Sequence, residues 1–314
     1  MKKIYRTDNG VLLEQTEYGP GVWVQLVAPT ESELYEISTH YQIDPADLRA
    51  ALDTDESSRL QMEDGYTLIL ADIPSDEIRN ERRAYTTLPL GIILVQDAII
   101  TICSIDTMVL KPFTLMQIRS FSTKKRMRFI YQILLRASNM YQYFLRAIDH
   151  NRMEIESRIN SSDTKDSDLL DLHELDSTLV YFTTSLNANK VVLERMNRYD
   201  RIQQYPDDTE LLEDVIIENR QALEMCNIYR DIIHGTRDLL STVINNRMNN
   251  IMKYLTSITL VMAIPTIISG LYGMNVSGNW IPLANVPHGF GIICGGTVII
   301  CVIALLILKR RKML

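Results

Sequence analysis

The sequence predicts a membrane protein: an α+β domain, then long helices, then two C-terminal transmembrane helices. Three observations predict it. From Tyr254 to Leu308 the chain has no Asp, Glu, Lys or Arg in 55 positions, and all 39 acidic residues come before that run. The first hundred residues alternate short Val, Ile and Leu-rich runs with turn residues. The stretch between them is helix-compatible text almost free of Gly and Pro. Averages conceal this division, because 314 residues at 46% hydrophobic and 23% charged would suit an ordinary soluble protein.

Residues 1–110 read as a mixed α/β domain. The opening MKKIYRTDNG lacks the apolar core of a signal peptide. GVWVQLVAP (21–29), Tyr66 to Ala71, Leu90 to Val95 and Ala98 to Cys103 are strand-like, and Gln96-Asp97 between the last two predicts a hairpin. Glu31 to Tyr41 and Pro45 to Leu52 read as helices behind the N-caps Thr30 and Asp44.

Residues 111–206 read as two long antiparallel helices. Lys124 to Ser161 and Leu169 to Tyr199 lack Pro and Gly, and SSDTKDSD (161–168) marks the tip between them. Acidic residues gather at that tip, among them Glu154, Glu156, Asp163, Asp166 and Asp168, and charged helix tips are usually solvated. Residues 207–272 read as one stalk helix, with Asp207 and Glu210 forming a capping-box-like start. Running from 209 to 272 at 1.5 Å per residue it would be roughly 95 Å long, about three bilayer cores. Val215, Ala222, Met225, Tyr229, Ile232, Leu239 and Val243 lie near a heptad seam, which suits packing on the same chain or on other subunits.

The first span is about 255–271, the outer loop 273–289, the second span 290–308 and the basic tail 309–314. Lys309, Arg310, Arg311 and Lys312 directly follow the second span, so the positive-inside rule puts both termini in the cytosol of a cell-membrane protein. Tyr272 and Trp280 suit the outer interfacial belt. Gly291 and Gly295 form a GxxxG pair that permits close helix contact.

Excluding the four basic residues Lys309–Lys312, the part before the spans has a net charge of −11. Such acidity argues against nucleic acid as a partner, which needs a basic face, and suits either attraction of cations or plain solvation. Cys103, Cys226, Cys294 and Cys301 show neither zinc-site nor disulfide spacing. No phosphate-binding loop or nucleophile triad is present, so neither an enzyme nor an organic cofactor is expected.

Inside the first span, Pro265 cannot donate a backbone hydrogen bond and leaves the carbonyl four residues earlier in need of another donor. Thr256, Ser257, Thr259, Thr266 and Ser269 add hydroxyls, which in spans often bond back to their own helix. The span closes on Gly270-Leu271-Tyr272-Gly273-Met274-Asn275-Val276. Gly273-Met274-Asn275 in this setting resembles the signature of the CorA family of divalent-cation channels, and the likeness covers nearly the whole chain. The stretch Asn245 to Lys253 also resembles the family's entry into the membrane.

The resemblance implies a funnel-shaped homopentamer in the lipid bilayer, with five copies of the first span around a pore. It implies Mg2+ as the transported and regulatory ion, with Co2+ and Ni2+ as further candidate ions. Mg2+ sheds its inner waters reluctantly, so neutral Asn275 carboxamides would bind a hydrated ion through its water and still release it. Read from the residues alone, the same tripeptide also fits a helix C-cap with Asn in a left-handed conformation. Below Asn275, Thr266, Ala263, Thr259, Leu255 and Met252 read as falling at helical spacing from it and would line the pore, or else pack between helices. With no charge in the span, the membrane potential would drive a divalent ion by about 4.6 kcal/mol per 100 mV. The ring Lys309–Lys312 would oppose cation exit unless the acidic helices draw it away.

Many family members carry an acidic residue in the outer loop, and Val276 to Gly289 has none. Asp72, Asp76, Glu77, Glu81, Asp214 and Glu218 are candidate regulatory acids by composition alone. A ZntB-like Zn2+ transporter and a non-conducting membrane-anchored scaffold are the alternatives.

Overall fold

The computed structural model describes residues 1–79, 82–161, 167–198, 206–275, 282–283 and 286–311. Two units result, Met1–Arg237 and Asp238–Leu314. The first unit holds seven strands: β1 (Lys2–Asp8), β2 (Val11–Gln15), β3 (Val22–Val27), β4 (Arg59–Met62), β5 (Tyr66–Arg79), β6 (Arg82–Val95) and β7 (Ala98–Cys103). They form one sheet in the order β2-β1-β3-β7-β6-β5-β4. Every pairing is antiparallel except β3 with β7, which is parallel from Val22↔Ala98 to Val27↔Cys103. The hairpin expected at Gln96-Asp97 is the β6–β7 turn.

Helices α1 (Glu31–Tyr41) and α2 (Pro45–Ala50) follow β3. Both start on the expected caps. Thr30 and Glu33 make a reciprocal capping box, and Asp44 accepts from the Ala46 N–H at 2.8 Å. Leu34, Ile37 and Leu48 bury one face of the sheet through Val24, Leu26, Leu68, Ile93 and Ile100. Alternation sends Trp23 to the other face, where its indole N–H donates to Thr101 Oγ1 at 2.9 Å. Phe121 and Phe129 pack edge-on against that ring, with centroids 6.2 and 5.1 Å away. β7 is buried along its full length, which explains its unbroken apolar text.

After α3 (Lys111–Thr114) come α4 (Arg126–Asn160), α5 (Ser167–Arg198) and α6 (Pro206–Tyr272). These match the three long helices expected. At the α4–α5 tip, Asp168 is fully buried and its Oδ1 accepts from Arg158 Nη2 at 2.6 Å and Nε at 3.1 Å. The tip acid is therefore an ion-paired structural group and not a solvated one. Asp163 and Asp166 lie outside the described residues, as do the side chain of Asp207 and residues 199–205.

The stalk seam departs from the expected register. Val215 and Ala222 are buried, but the stripe continues through Cys226 and Ile233, while Ile232 is 38% and Leu239 40% exposed. Two apolar stripes share α6, and the one that meets its own chain lies one residue further on than the spacing suggested. It is pinned by Asn219, whose Nδ2 donates to the Leu186 carbonyl at 3.1 Å.

Strands β5 and β6 are longer than their apolar runs, because beyond Leu70 and Gly91 they leave the sheet as a two-stranded ribbon. Pro74 and Pro89 lie in that ribbon, where each strand has an open edge and proline is tolerated. Where β4 stops, α5 supplies a substitute. Asn189 accepts from the Asp72 N–H at 2.9 Å through Oδ1 and donates to the Asp72 carbonyl at 2.8 Å through Nδ2, as a neighbouring strand would. Tyr141 on α4 also donates to that carbonyl, at 3.1 Å.

Replacing Asn189 with Leu should cost roughly 2 kcal/mol, because the Asp72 N–H loses its acceptor while Tyr141 still serves the carbonyl, read as a fall in denaturation midpoint. Burial pushes the Asp72 carboxyl upward against the lowering effect of Ser185 and Ser58. A raised carboxyl holds its proton more tightly folded than unfolded. Stability is therefore lost as pH climbs from the ordinary value of about 3.9 through the raised one. Asp72→Asn should accordingly gain on the wild type in thermal midpoint between pH 4 and pH 7; a shrinking difference would contradict this.

Candidate functional site

Among the described residues, two helices are long and apolar enough to cross a membrane, α6 in its C-terminal part and α7 (Gly289–Arg310). Their apolar side chains point outward, with Leu260 55%, Val298 61% and Phe290 81% exposed. That surface requires hydrocarbon or other helices around it.

Ser257 is buried, and Val261, Ile264, Pro265, Ile268 and Tyr272 are half-buried along one side of α6. α7 meets this side at Cys301, whose Sγ lies 3.9 Å from the Val261 carbonyl oxygen. Among the residues expected to line a pore, Met252, Leu255, Thr259 and Thr266 are exposed and Ala263 is half-buried. The hydroxyls are already committed. Thr259 donates to the Leu255 carbonyl at 2.8 Å and Thr266 to Met262 at 2.9 Å, so each turns only a lone pair outward.

α6 ends at Tyr272, and a short turn follows. The Gly273 N–H donates to Ser269 O at 2.9 Å and the Met274 N–H to Leu271 O at 3.4 Å. A Cβ at Gly273 would stand 3.2 Å from Ser269 O, closer than most side chains tolerate. Among the described residues with positive φ, none belongs to Gly273, Met274 or Asn275, so the turn is not the left-handed cap that the tripeptide alone would suit. Asn275 is exposed and past the helix. About nine residues, or two and a half turns, separate it from Thr266, so in a continuous helix the two would face opposite ways, and the shared helical spacing expected from Asn275 does not hold. Leaving the helix at Tyr272 frees the carboxamide from that phase.

The returning chain is tied to the same turn. Tyr272 Oη donates to the Pro282 carbonyl at 3.0 Å. Leu283 approaches Gly289 so closely that a Cβ there would lie 2.3 Å from the Leu283 oxygen. Residues 276–281, Trp280 included, lie outside the described residues. Lys309, Arg310 and Arg311 are exposed at the other end of α7, with Lys312 outside the described residues.

The candidate acids fall in the first unit. Asp72 is half-buried beside Ser58 and Ser185, Asp76 and Glu77 lie on β5, and Glu218 on α6 accepts from Gln142 Nε2 at 2.5 Å. Asp214 is exposed on α6, and Glu81 lies outside the described residues. No group of three or more His, Cys, Asp or Glu able to hold a metal occurs among the described residues. The arrangement thus offers a neutral amide at a helix end and hydroxyl lone pairs along a span. Such groups can hydrogen-bond to the water around a solvated ion. Sequence reasoning missed the anchoring roles of Tyr272 and Cys301; Pro265 signalled that a donor was needed but not which one.

The model of the CorA-like Mg2+ transporter protein family matches residues 20–310. The cobalt/magnesium transport protein CorA of Methanocaldococcus jannaschii is 30% identical over 298 residues, 92% of this chain and 90% of that one. The magnesium transport protein CorA of Helicobacter pylori is 23% identical, covering 88% of this chain and 85% of its own. Among solved structures, the complete CorA magnesium transporter of M. jannaschii superposes with a TM-score of 0.83 at 26% identity, covering 99% of this chain and 98% of that one.

Proposed function

We propose, from the premise that this chain belongs to the CorA-like Mg2+ transporter family, that it moves Mg2+ across the cell membrane as a channel that accepts the ion with its water. The observation that carries this reading is Gly273-Met274-Asn275 at the end of the first of two apolar helices, in a chain whose whole length matches a family member. Mg2+ dehydrates reluctantly, and a carboxylate ring would hold it too long. Five Asn275 carboxamides, one from each subunit of a homopentamer in the lipid bilayer, would bind the hydration shell and let go. Beneath them Met252, Leu255, Thr259, Ala263 and Thr266 would line the path, with Met252 and Leu255 forming an apolar constriction that closes by dewetting.

With both termini cytosolic, the potential supplies about 4.6 kcal/mol per 100 mV to an entering divalent ion, so no nucleotide is needed. Cytosolic Mg2+ at the acidic first unit would regulate opening. The basic residues Lys309 to Lys312 would stand around the exit and shape the same equilibrium.

Flux into liposomes under an imposed potential, measured with Mg2+, Co2+ and Zn2+, tests the reading. Mg2+ should pass. A preference for Zn2+ would mark a ZntB-like carrier, and no flux at all a scaffold. Asn275→Ala should lower Mg2+ flux by roughly tenfold or more, since each subunit loses a water contact worth about 1 kcal/mol. Neutralising Lys309, Arg310, Arg311 and Lys312 together should change the open fraction, and unaltered flux would discard their role at the exit.

A further inference from the structure

Pro265 lies inside α6. Helical donors reach four residues back, so its missing N–H leaves the Val261 carbonyl without a partner on its own helix. The pyrrolidine ring also crowds that carbonyl and tilts it away from the axis. In a span, no water stands ready to pair with it. What stands there is a thiol from the other span: Cys301 Sγ, 3.9 Å from the Val261 oxygen.

We propose that Cys301 is a positioning residue, donating its S–H to the carbonyl that Pro265 releases and thereby holding α6 to α7 at that turn. The neighbouring hydroxyls are spent on their own helices. Thr259 and Thr266 bond to Leu255 and Met262, and on α7 Thr297 bonds to Ile293 at 2.8 Å. The Cys301 bond, by contrast, crosses from one helix to the other. Cys294, seven positions earlier on α7, is exposed, which makes it an internal control. Thiol donors are weak, but the alternative for the carbonyl is no partner at all. The consequence for ion passage rests on the reading of α6 as the pore-lining helix; the hydrogen bond itself does not.

A double-mutant cycle on the full-length protein decides it. Cys301→Ala and Cys301→Val are each made alone and together with Pro265→Ala, and Cys294→Val is the control. Thermal midpoint is read in detergent and Mg2+ flux in liposomes. With Pro265 in place, both Cys301 variants should lose roughly 2–4 °C and about fivefold in flux, the factor of one net hydrogen bond. On the Pro265→Ala background, residue 265 supplies its own N–H to Val261, and the same substitutions should cost little. Cys294→Val should be silent throughout. Equal losses on both backgrounds, or losses that track side-chain volume and not the donor, overturn the proposal. If the wild type carries no Mg2+, the transport reading fails and the thermal cycle alone decides the thiol's role.

Discussion

Wherever a regular ladder of main-chain hydrogen bonds stops away from water, some other group must finish it, and this protein finishes several with single side chains. In hydrocarbon the demand is strictest, since each unpaired peptide group costs several kcal/mol. The Val261 carbonyl meets a thiol of α7, and the Pro282 carbonyl meets the Tyr272 hydroxyl. In the first unit the edge of β5 meets Asn189 of α5. One element is thereby located by a single residue of another. These bonds tie α5 to the sheet, α7 to α6 and Tyr272 to the chain at Pro282.

The chemistry of the second unit depends on the same economy. An uncharged segment of 55 residues cannot recognise a cation by opposite charge. Among its described residues are an exposed carboxamide at Asn275 and the lone pairs that Thr259 and Thr266 still present after bonding back. Weak, neutral acceptors suit an ion that keeps its water. Strong ligands suit one that is to be stored.

Much of this was readable beforehand, and for physical reasons. A charge-free run has few meanings in a protein. A cap such as Thr30 with Glu33 three residues later marks a helix start by local hydrogen bonding alone, and α1 begins and ends where it was expected. The lengths of β5 and β6 were not readable, because Pro74 and Pro89 argue against a strand unless an open edge is known to lie beside them. The seam on α6 was displaced by one residue because two apolar stripes coexist there, and spacing does not say which one its own chain covers. In the candidate site, Pro265 announced an orphaned carbonyl, but its donor depends on the rotation of α7 about its axis, which no spacing within α6 encodes. Buried Asp168 looked like part of a solvated tip because its partner, Arg158, is ten positions back on another helix.

The parallel pairing of β3 with β7 bears on how the chain is born. Val22–Val27 emerges from the ribosome with its neighbour β1 already made, yet its other edge waits until Ala98–Cys103 has been synthesised. β5 and β6 are adjacent in sequence and can zip together as they appear. At about 5–20 residues per second the delay for β3 is several seconds. During that interval an apolar strand edge is open to other nascent chains. The order of synthesis thus makes the middle of the sheet, and not its rims, the part in greatest need of a chaperone.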